Sequence, residues 1–532
     1  MLNKDDDNNA PSPRKFVLEE FIWGHRLHDD QDINMVLLEF LCAIQNLPFS
    51  EYSPNKFVYQ IPRRKVLRAL IFNNPQIEAI GEKTDDPWGE WEKLFKENGE
   101  NRDLFAADSG WNCEYLKKAF AADEGEKKSF ENFAQTVRFL RSSAINIRSD
   151  KRWTSLFVFP WGEDCLYVDM SLKGGQDRRF FARGGILVYL MLAHANNRSK
   201  LEALLREKLL NSDSPYDRIC KALQSYGESC KVPDDFATES GSSLPDDKQL
   251  TPRDLANFNS LCDDLIQVLS LNMPAPDMLH YFRDAIGLHL IRWILDRGSW
   301  ALEKPEDSRY ILCEMLQKKS TEIRRISKEN YIENDKQSEA ALRNYLKTRE
   351  NEIKNDVFSF NAETYDEDRF KDLAKDEFRI NGKYFDEELK DLSENKFKDQ
   401  FRKDVLAKHK KHVGKVHGIF AKNIELATTL YSNAYRYAPS DSFLKSLVMI
   451  LVDKERMPLT DFLAKAYQKF GIVIGPVEAR EAGIQQQRGT EDKQFEDNQT
   501  LLVNRLKSIG LLISLSDGFP YVINSYFAAA KE

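Results

Sequence analysis

The chain has 532 residues, of which 42% are hydrophobic and 30% are charged. At roughly 100–200 residues per domain, this length predicts about three or four domains. The apolar fraction is too high for a wholly disordered chain. The formal net charge of −8 excludes a polycationic protein, so any contact with nucleic acid has to come from a local basic patch.

The spacing of the cysteines and the length of the apolar runs exclude further classes of protein. The seven cysteines are widely spaced and form no CxxC pair, which excludes zinc-knuckle and thioredoxin-like motifs and favours reduced thiols. Residues 1–14 are acidic and polar and predict a disordered tail without the features of a secretory signal. The longest apolar run, near Gly185–Ala193, is shorter than the ~18–20 residues of a membrane span. We therefore expect a cytoplasmic protein with no membrane contact.

Residues 15–230 predict an α+β domain in which helices surround one β-hairpin. The segments FVLEEFIWG and INMVLLEFLCAIQNL carry apolar residues at helical spacing, and SFENFAQTVRFLRSSAI predicts a helix capped by Ser129. The segments WTSLFVFPWG and CLYVDMSL are rich in β-branched and aromatic residues and flank a short turn, which predicts the hairpin. GILVYLMLAHA is apolar nearly all round, as is typical of a buried helix.

Residues 231–251 predict a linker, because they are rich in Pro, Ser, Gly and Asp. Residues 252–438 predict a helical domain that begins with Thr251 as cap and Pro252 at the first helical position. Within it, RYILCEML predicts a short buried strand. From about residue 321 to residue 421 the chain is very charged and periodic, which predicts long exposed helices that form an arm or a spacer.

Residues 440–532 contain predicted elements in the order of a winged helix. SFLKSLVMILVD and MPLTDFLAKAYQKFG predict two helices, the second ending at Gly471. After a polar insertion, FEDNQTLLVNRLKSIG predicts a third helix that ends at Gly510. LLISLSDGFPYVINSYF predicts a hairpin around Asp517-Gly518. This ending resembles the winged-helix domains of bacterial regulators, so the predicted fold class is mostly α (α+β), multidomain, with a carboxyl-terminal winged helix.

A winged helix can bind DNA, and the sequence offers candidate residues for that contact. The third helix of such a fold usually enters the major groove. The candidate DNA-binding residues on this helix are Gln499, Asn504, Arg505 and Lys507, and residues 516–519 would form the tip of the wing. The module has no basic excess, although phosphate binding needs cations. The sequence therefore leaves open whether this surface binds double-stranded DNA or a protein partner.

Residues 401–423 form the most basic stretch of the chain. At helical spacing, Lys408, Lys411 and Lys415 would contribute to one cationic face, which makes them further candidates for binding DNA phosphates. The alternative is a solvated surface helix whose charge is offset by the acidic run before it. His409 and His412 share a helical spacing, but no cysteine or carboxylate completes a metal site, and we expect no metal.

Three arginines stand at the start of the predicted buried helix in DRRFFARGG, namely Arg178, Arg179 and Arg183. Arginines and backbone amides at a helix start can form an anion site. The alternative is that these arginines pair with acids at an interface between domains, and we favour that interpretation.

No complete catalytic motif is present. The motifs GxxxxGK[ST], GxGxxG and GxSxG of nucleotide-binding proteins and serine hydrolases are absent, so we expect no cofactor and no enzyme. Asp164 and Asp169 lie in and after the predicted hairpin, where a metal-dependent nuclease carries its acids, but a Glu-x-Lys step does not accompany them. A cryptic nuclease is thus one alternative function. A winged-helix transcriptional regulator is another, disfavoured by the size of the chain.

Four segments resemble helical accessory subunits encoded in prokaryotic antiphage-defence and restriction islands. They are FIWGHRLHDDQD, DKRWTSLFVFPWG, DRRFFARGG and LKSIGLLISLSDGFPYVIN. The resemblance implies a non-catalytic binding or scaffolding subunit of a DNA-handling or antiviral-defence complex. It also implies protein partners such as an ATPase, a nuclease or other complex subunits.

Overall fold

The computed structural model is mostly helical, as the sequence predicts. The predicted tail, residues 1–14, and most of the predicted linker lie outside the residues that the structure describes. The described residues are 18, 22–23, 27, 31–52, 58–59, 63–64, 70, 74, 77–80, 84–98, 113–143, 156–158, 162, 166–169, 184–224, 239–240, 250–302, 309–318, 321–356, 378, 394–410, 413–515 and 518–527.

The front part of the chain is helical around a small sheet. Its elements are α1 (Ile33–Asn46), β1 (Val58–Tyr59), β2 (Arg63–Arg64), α2 (Ile77–Ile80), α3 (Pro87–Glu97), α4 (Cys113–Ala119), α5 (Glu126–Ser143), β3 (Leu156–Val158), β4 (Leu166–Asp169), α6 (Gly184–Ala193), α7 (Arg198–Lys208) and α8 (Pro215–Gln224). The predicted hairpin is confirmed, since β3 and β4 pair antiparallel. Strand β2 adds to it in parallel with β4.

One predicted helix start is wrong. Ser129 does not cap α5 but lies inside it and is buried. The helix begins one turn earlier because Gly125, at φ 99°, makes the turn before it, and the backbone N–H of Ser129 donates to the carbonyl of Gly125 at 3.0 Å. Phe130, the next residue along the helix, lies edge-on to Trp88 with ring centres 5.2 Å apart.

Helices α2 to α5 and α8 enclose a core of their own that is rich in aromatic rings. Trp88 stacks on Phe133 with ring centres 5.1 Å apart, and Trp91 lies edge-on to Phe133 at 5.0 Å. The indole N–H of Trp91 donates to Asn74 Oδ1 at 2.8 Å. This bond stabilises the buried indole, because an unsatisfied N–H in an apolar interior costs about 1–3 kcal/mol.

Helix α6 is buried on every side, as its apolar composition predicts, and it packs closely on α1. Its first two N–H groups have no partner within the helix and instead reach side chains near and in α1. Gly184 N–H donates to Gln31 Oε1 at 2.9 Å, and Gly185 N–H donates to Glu39 Oε2 at 2.8 Å. Both glycines are needed here, since a Cβ at Gly185 would lie 2.5 Å from the backbone N of Phe40.

The middle of the chain is organised around one long buried helix. Its elements are β5 (Glu239–Ser240), α9 (Pro252–Leu269), α10 (Ala275–Ala301), β6 (Ile311–Leu312), α11 (Glu322–Asp335), α12 (Gln337–Asp356), α13 (Glu394–Lys410), a 3-10 turn (Val413–Lys415), α14 (Val416–Asn423), β7 (Ala427–Thr428) and β8 (Arg436–Tyr437). Helix α10 contacts α1, α9, α12 and α14. Within the predicted linker, β5 pairs antiparallel with β1.

Two features of this region follow the sequence, and one departs from it. Thr251 caps α9 through a reciprocal bond with Asp254, and RYILCEML contains the short buried strand β6. Where the charged stretch after residue 321 is described, it is mainly helical, but these helices do not stand free as an arm. Helix α12 packs along α10 and buries Leu342 and Leu346, because one apolar stripe suffices to bury a helix whose other faces are charged. The predicted domain boundaries stay a prediction.

The carboxyl-terminal part contains every predicted helix and the predicted hairpin. Its elements are α15 (Asp441–Leu451), β9 (Arg456–Pro458), α16 (Leu459–Phe470), β10 (Ile472–Val473), α17 (Pro476–Glu481), α18 (Ile484–Arg488), α19 (Asp492–Ser508), β11 (Leu512–Ser514) and β12 (Pro520–Ile523). Strands β11, β12 and β9 form an antiparallel sheet in that order. Helix α16 ends at Gly471, as predicted, and this glycine takes the left-handed conformation with a φ of 70°.

The described part of the chain contains no helix with the length and apolarity needed to cross a membrane. Four of its cysteines, Cys42, Cys220, Cys262 and Cys313, are buried thiols. Burial raises the pKa of Cys262 to about 12, so this thiol stays protonated at neutral pH and is a poor nucleophile.

Gly185→Ala should destabilise the fold by about 1–3 kcal/mol, because the new Cβ would force α1 and α6 apart. The matched control is Gly414→Ala, whose Cβ would meet only Lys410 Cγ at 3.7 Å. Thermal unfolding followed by circular dichroism should show a clear loss for the first variant and little change for the second. Equal melting temperatures would contradict the close approach of the two helices.

Stability should fall as the pH drops below 6.5, because burial lowers the pKa of His289 from that ordinary value. His289 Nε2 lies 2.7 Å from Asp264 Oδ2, and Lys469 also contacts this aspartate. Above pH 6.5 the imidazole is neutral in both states; below it the unfolded chain binds the proton more readily, which favours unfolding. His289→Gln should flatten this dependence in urea titrations between pH 7 and the lowered pKa. An unchanged slope would contradict the assignment.

Candidate interaction surface

Residues 310–315 attach the carboxyl-terminal part to the rest of the chain. Strand β6 lies in this segment and pairs in parallel with β10. The N–H groups of Ile311 and Cys313 donate to the carbonyls of Gly471 and Val473 at 2.8 and 2.9 Å. Buried backbone groups require partners of this kind, so the segment fixes α16 and β10 against the helical body.

Helix α19 is held to the same segment by one asparagine. Asn498 is buried, and its Nδ2 donates to the carbonyls of Cys313 and Ile474, each at 3.0 Å. Its Oδ1 accepts from the N–H of Met315 at 2.8 Å. Because Asn498 faces inward, the rotation of α19 about its own axis is fixed, and the opposite face of the helix meets solvent.

The four candidate DNA-binding residues of α19 are not equally accessible. Asn504 and Lys507 are exposed, whereas Gln499 and Arg505 are half-buried. The Arg505 guanidinium donates to Asp441 Oδ1 at 2.6 Å and to the carbonyl of Pro439 at 2.9 Å. These contacts tie α19 to the start of α15, so Arg505 acts within the fold.

The exposed side chains of α19 change in charge along the helix. In its first half, the exposed charged residues are Asp492, Lys493, Glu496 and Asp497, which together carry a net charge of −2. In its second half the exposed residues include Asn504 and Lys507. The first half of α19 therefore repels phosphate, while the last turns do not.

The carboxyl-terminal hairpin, residues 512–523, has one buried and one outward face. Leu512, Val522 and Met457 lie side by side across the three strands and are buried. Side chains alternate along a strand, so Ile513 and Tyr521 point outward, with Ile513 exposed. Near the turn Phe519 is 67% exposed. The outward face of this hairpin is thus mainly apolar.

The basic stretch is divided between the surface and the core. Lys408 and Lys415 are exposed, and Lys411 lies outside the described residues. His409 is buried, with its Nε2 3.0 Å from the carbonyl of Phe378. His409 therefore belongs to the packing of α13, and its partner in the predicted pair, His412, is not described.

The remaining candidates fall largely outside the described residues. Arg178, Arg179, Arg183 and Asp164 are all among the residues that are not described. Asp169 is the last residue of β4. In the described part of the chain, no group of three or more His, Cys, Asp or Glu side chains could hold a metal ion.

Sequence reasoning missed a buried ion network next to residues 310–315. Glu314 is fully buried and pairs with both Arg324 and Arg436; Arg324 Nε donates to its Oε1 at 3.0 Å. Arg436 is also fully buried. The available signal was faint: a single arginine between two tyrosines in YRYAPS, and a single glutamate in ILCEML. Neither segment indicates which distant residue its charged side chain contacts.

Glu314→Gln should destabilise the protein by about 3–5 kcal/mol, because it leaves two buried guanidiniums without a counter-charge. The matched control is Glu322→Gln, which removes the exposed partner of Arg325 and should cost less than about 1 kcal/mol. The comparison can be made by urea unfolding of both variants. A loss at position 322 as large as that at 314 would contradict the assigned network.

Comparison of the chain with models of protein families, with curated proteins and with solved structures gives no match.

Proposed function

We propose that this chain is a non-catalytic binding subunit whose residues 440–527 form a winged helix that holds a protein partner. The observation that carries the proposal is the contrast between two outward surfaces of this part of the chain. The hairpin 512–523, here called the wing, is mainly apolar, whereas the first half of α19 is acidic.

The pairing of the strands supports the winged-helix assignment. In a winged helix, a strand between the first two helices closes the sheet against the wing. Strand β9 stands between α15 and α16 and pairs with β12 through Met457 and Val522. Sequence reasoning did not include β9, so this pairing is support that is independent of the predicted order of elements.

The charges of α19 favour a protein partner over the major groove of DNA. A helix in the groove contacts bases mainly through its amino-terminal residues, and here that half carries Asp492, Glu496 and Asp497 on its exposed surface. Arg505, the strongest candidate for a guanine contact, is engaged by Asp441. Phosphate neutralisation, on which DNA affinity depends, is therefore weak on this helix.

The wing has the composition of a protein-binding surface. Aromatic side chains are enriched in the centres of interfaces, where they become fully desolvated. Tyr521 on the sheet and Phe519 just before its last strand supply aromatic groups, and Ile513 adds an exposed aliphatic side chain. Arg456 also faces outward, with its guanidinium 5.7 Å from the centre of the Tyr521 ring, so the surface offers one charge beside its apolar side chains.

Double-stranded DNA is the second candidate ligand, favoured by one specific observation. Asn504 and Lys507 are both exposed and lie three residues apart on α19, so they share one face of the helix. Lys408 and Lys415 are further exposed cations. DNA as the ligand would agree with the role in a DNA-handling complex that the sequence leads us to expect.

Phe519→Asp should weaken partner binding by about 2 kcal/mol or more, because the contact would bury an unpaired charge. Val477→Asp is the matched control, since Val477 is 51% exposed but lies on α17, outside the wing. Quantitative affinity capture with wild-type protein and both variants, followed by calorimetry with the captured partner, measures the effect.

Equal binding by the two variants would overturn the assignment of the wing. A labelled DNA duplex added at low salt decides the second candidate in the same preparation. Salt-dependent duplex binding, with its salt slope reduced by about 1 in Lys507→Ala, would replace the protein partner with DNA. No duplex binding, together with loss of the partner in Phe519→Asp, is the result expected.

A further inference from the structure

Residues 429–435, here called the braced loop, join β7 to β8 and carry three exposed hydrophobic side chains. Leu430 is 50% exposed, Tyr431 is 51% exposed and Tyr435 is 38% exposed. Single exposed hydrophobic residues are common, whereas several close together are typical of interaction sites. The loop precedes residues 440–527 and is therefore distinct from the wing.

Two buried arginines donate hydrogen bonds to backbone carbonyls of this loop. Arg324 Nη1 donates to the carbonyl of Tyr431 at 3.2 Å, and Arg436 Nη2 donates to the carbonyl of Leu430 at 2.7 Å. Both guanidiniums share the carboxylate of Glu314. Burial of three charged groups costs several kcal/mol per ion before they pair with one another. A loop that only connects two short strands does not need such a network.

The backbone of the loop is fixed in a conformation that its sequence does not favour. Tyr431 has a φ of 61°, which costs a residue other than glycine roughly 1–2 kcal/mol. Within the loop, the N–H of Ser432 donates to the carbonyl of Thr429 at 2.8 Å. A loop held in one conformation before binding loses less entropy when a partner docks, so this bracing favours recognition.

The groups that contact the loop carry an excess of positive charge. Arg324 and Arg436 lie beneath it, and Lys422 Nζ lies 4.0 Å from the centre of the Tyr435 ring. Among the described residues, Glu314 is the acid that pairs with these groups, so the three cations and this carboxylate carry a net charge of +2. The described residues give Lys422 no ion-pair partner, and they leave Arg436 Nη1 buried without a hydrogen-bond acceptor.

Two further acids of this region, Asp335 and Glu425, make their polar contacts with groups outside the loop. Asp335 Oδ1 lies 3.2 Å from His417 Nδ1, and Glu425 accepts a hydrogen bond from the hydroxyl of Ser440. Because Lys422 has no ion-pair partner among the described residues, it favours an occupant that brings carboxylates of its own.

We propose that the braced loop docks an acidic, apolar segment of a partner protein. The apolar side chains of that segment contact Leu430, Tyr431 and Tyr435, and its carboxylates pair with Lys422. A nucleic acid fits less well, because phosphate binding depends on several accessible cations and Lys422 is the single cation that reaches the surface of this loop among its contacts.

Short labelled peptides test this proposal against the full chain by fluorescence anisotropy at low salt. One peptide alternates Glu or Asp with Leu or Phe; a second replaces the acids with Lys, and a third replaces the apolar residues with Ser. The first should bind about tenfold more tightly than either of the others, which corresponds to about 1.4 kcal/mol. Salt should weaken this binding.

Tyr431→Ala should weaken binding of the acidic, apolar peptide about tenfold, and Lys422→Glu should weaken it as well. The matched control is Tyr526→Ala, because Tyr526 is similarly exposed but lies after β12. Circular dichroism of each variant shows that the fold persists.

Equal binding of all three peptides, or unchanged binding by Tyr431→Ala, would overturn the proposal. So would competition by a single-stranded oligonucleotide that binds through the loop more tightly than the peptide. The result is separable from that for the wing, since Phe519→Asp should leave peptide binding at the braced loop unchanged.

Discussion

Residues 310–315 impose the constraint on which the carboxyl-terminal half of the fold depends. This segment is extended and buried, so each of its N–H groups has to find an acceptor. The acceptors come from different parts of the chain: Gly471 and Val473 beside β10, Asn330 on α11, Tyr437 on β8 and Asn498 on α19. One short strand thereby fixes four elements relative to one another.

That constraint decides which surfaces the protein presents. Asn498 turns α19 so that its acidic side chains meet solvent, and Tyr437 places the braced loop over the buried guanidiniums. Both surfaces therefore follow from interior polar bonds and not from the apolar core alone. We therefore propose that the apolar wing and the braced loop bind protein partners. Helix α19 contributes little cationic surface for binding DNA.

The sequence by itself determined the elements that depend on local chemistry. Helical apolar spacing, a Thr251 cap, the glycine after α16 and the β-rich runs around residue 518 are short-range signals, and the corresponding elements are present. The buried helix α6 was equally predictable, because no face of it is polar. Ser129 misled the prediction, since a serine inside a helix and a serine at its cap look alike in sequence.

Only the tertiary structure decided the polar contacts between distant residues, and with them the candidate site. Glu314 and Arg436 are 122 residues apart, and Asn498 reaches Met315 across 183 residues. No local pattern encodes such pairs, because any exposed glutamate or arginine has the same sequence signature. The same holds for α12, whose charge predicted an exposed arm but whose buried stripe packs on α10. Whether a charged side chain is exposed to solvent or buried in a network that supports a surface depends on its neighbours in space, which the local sequence does not specify.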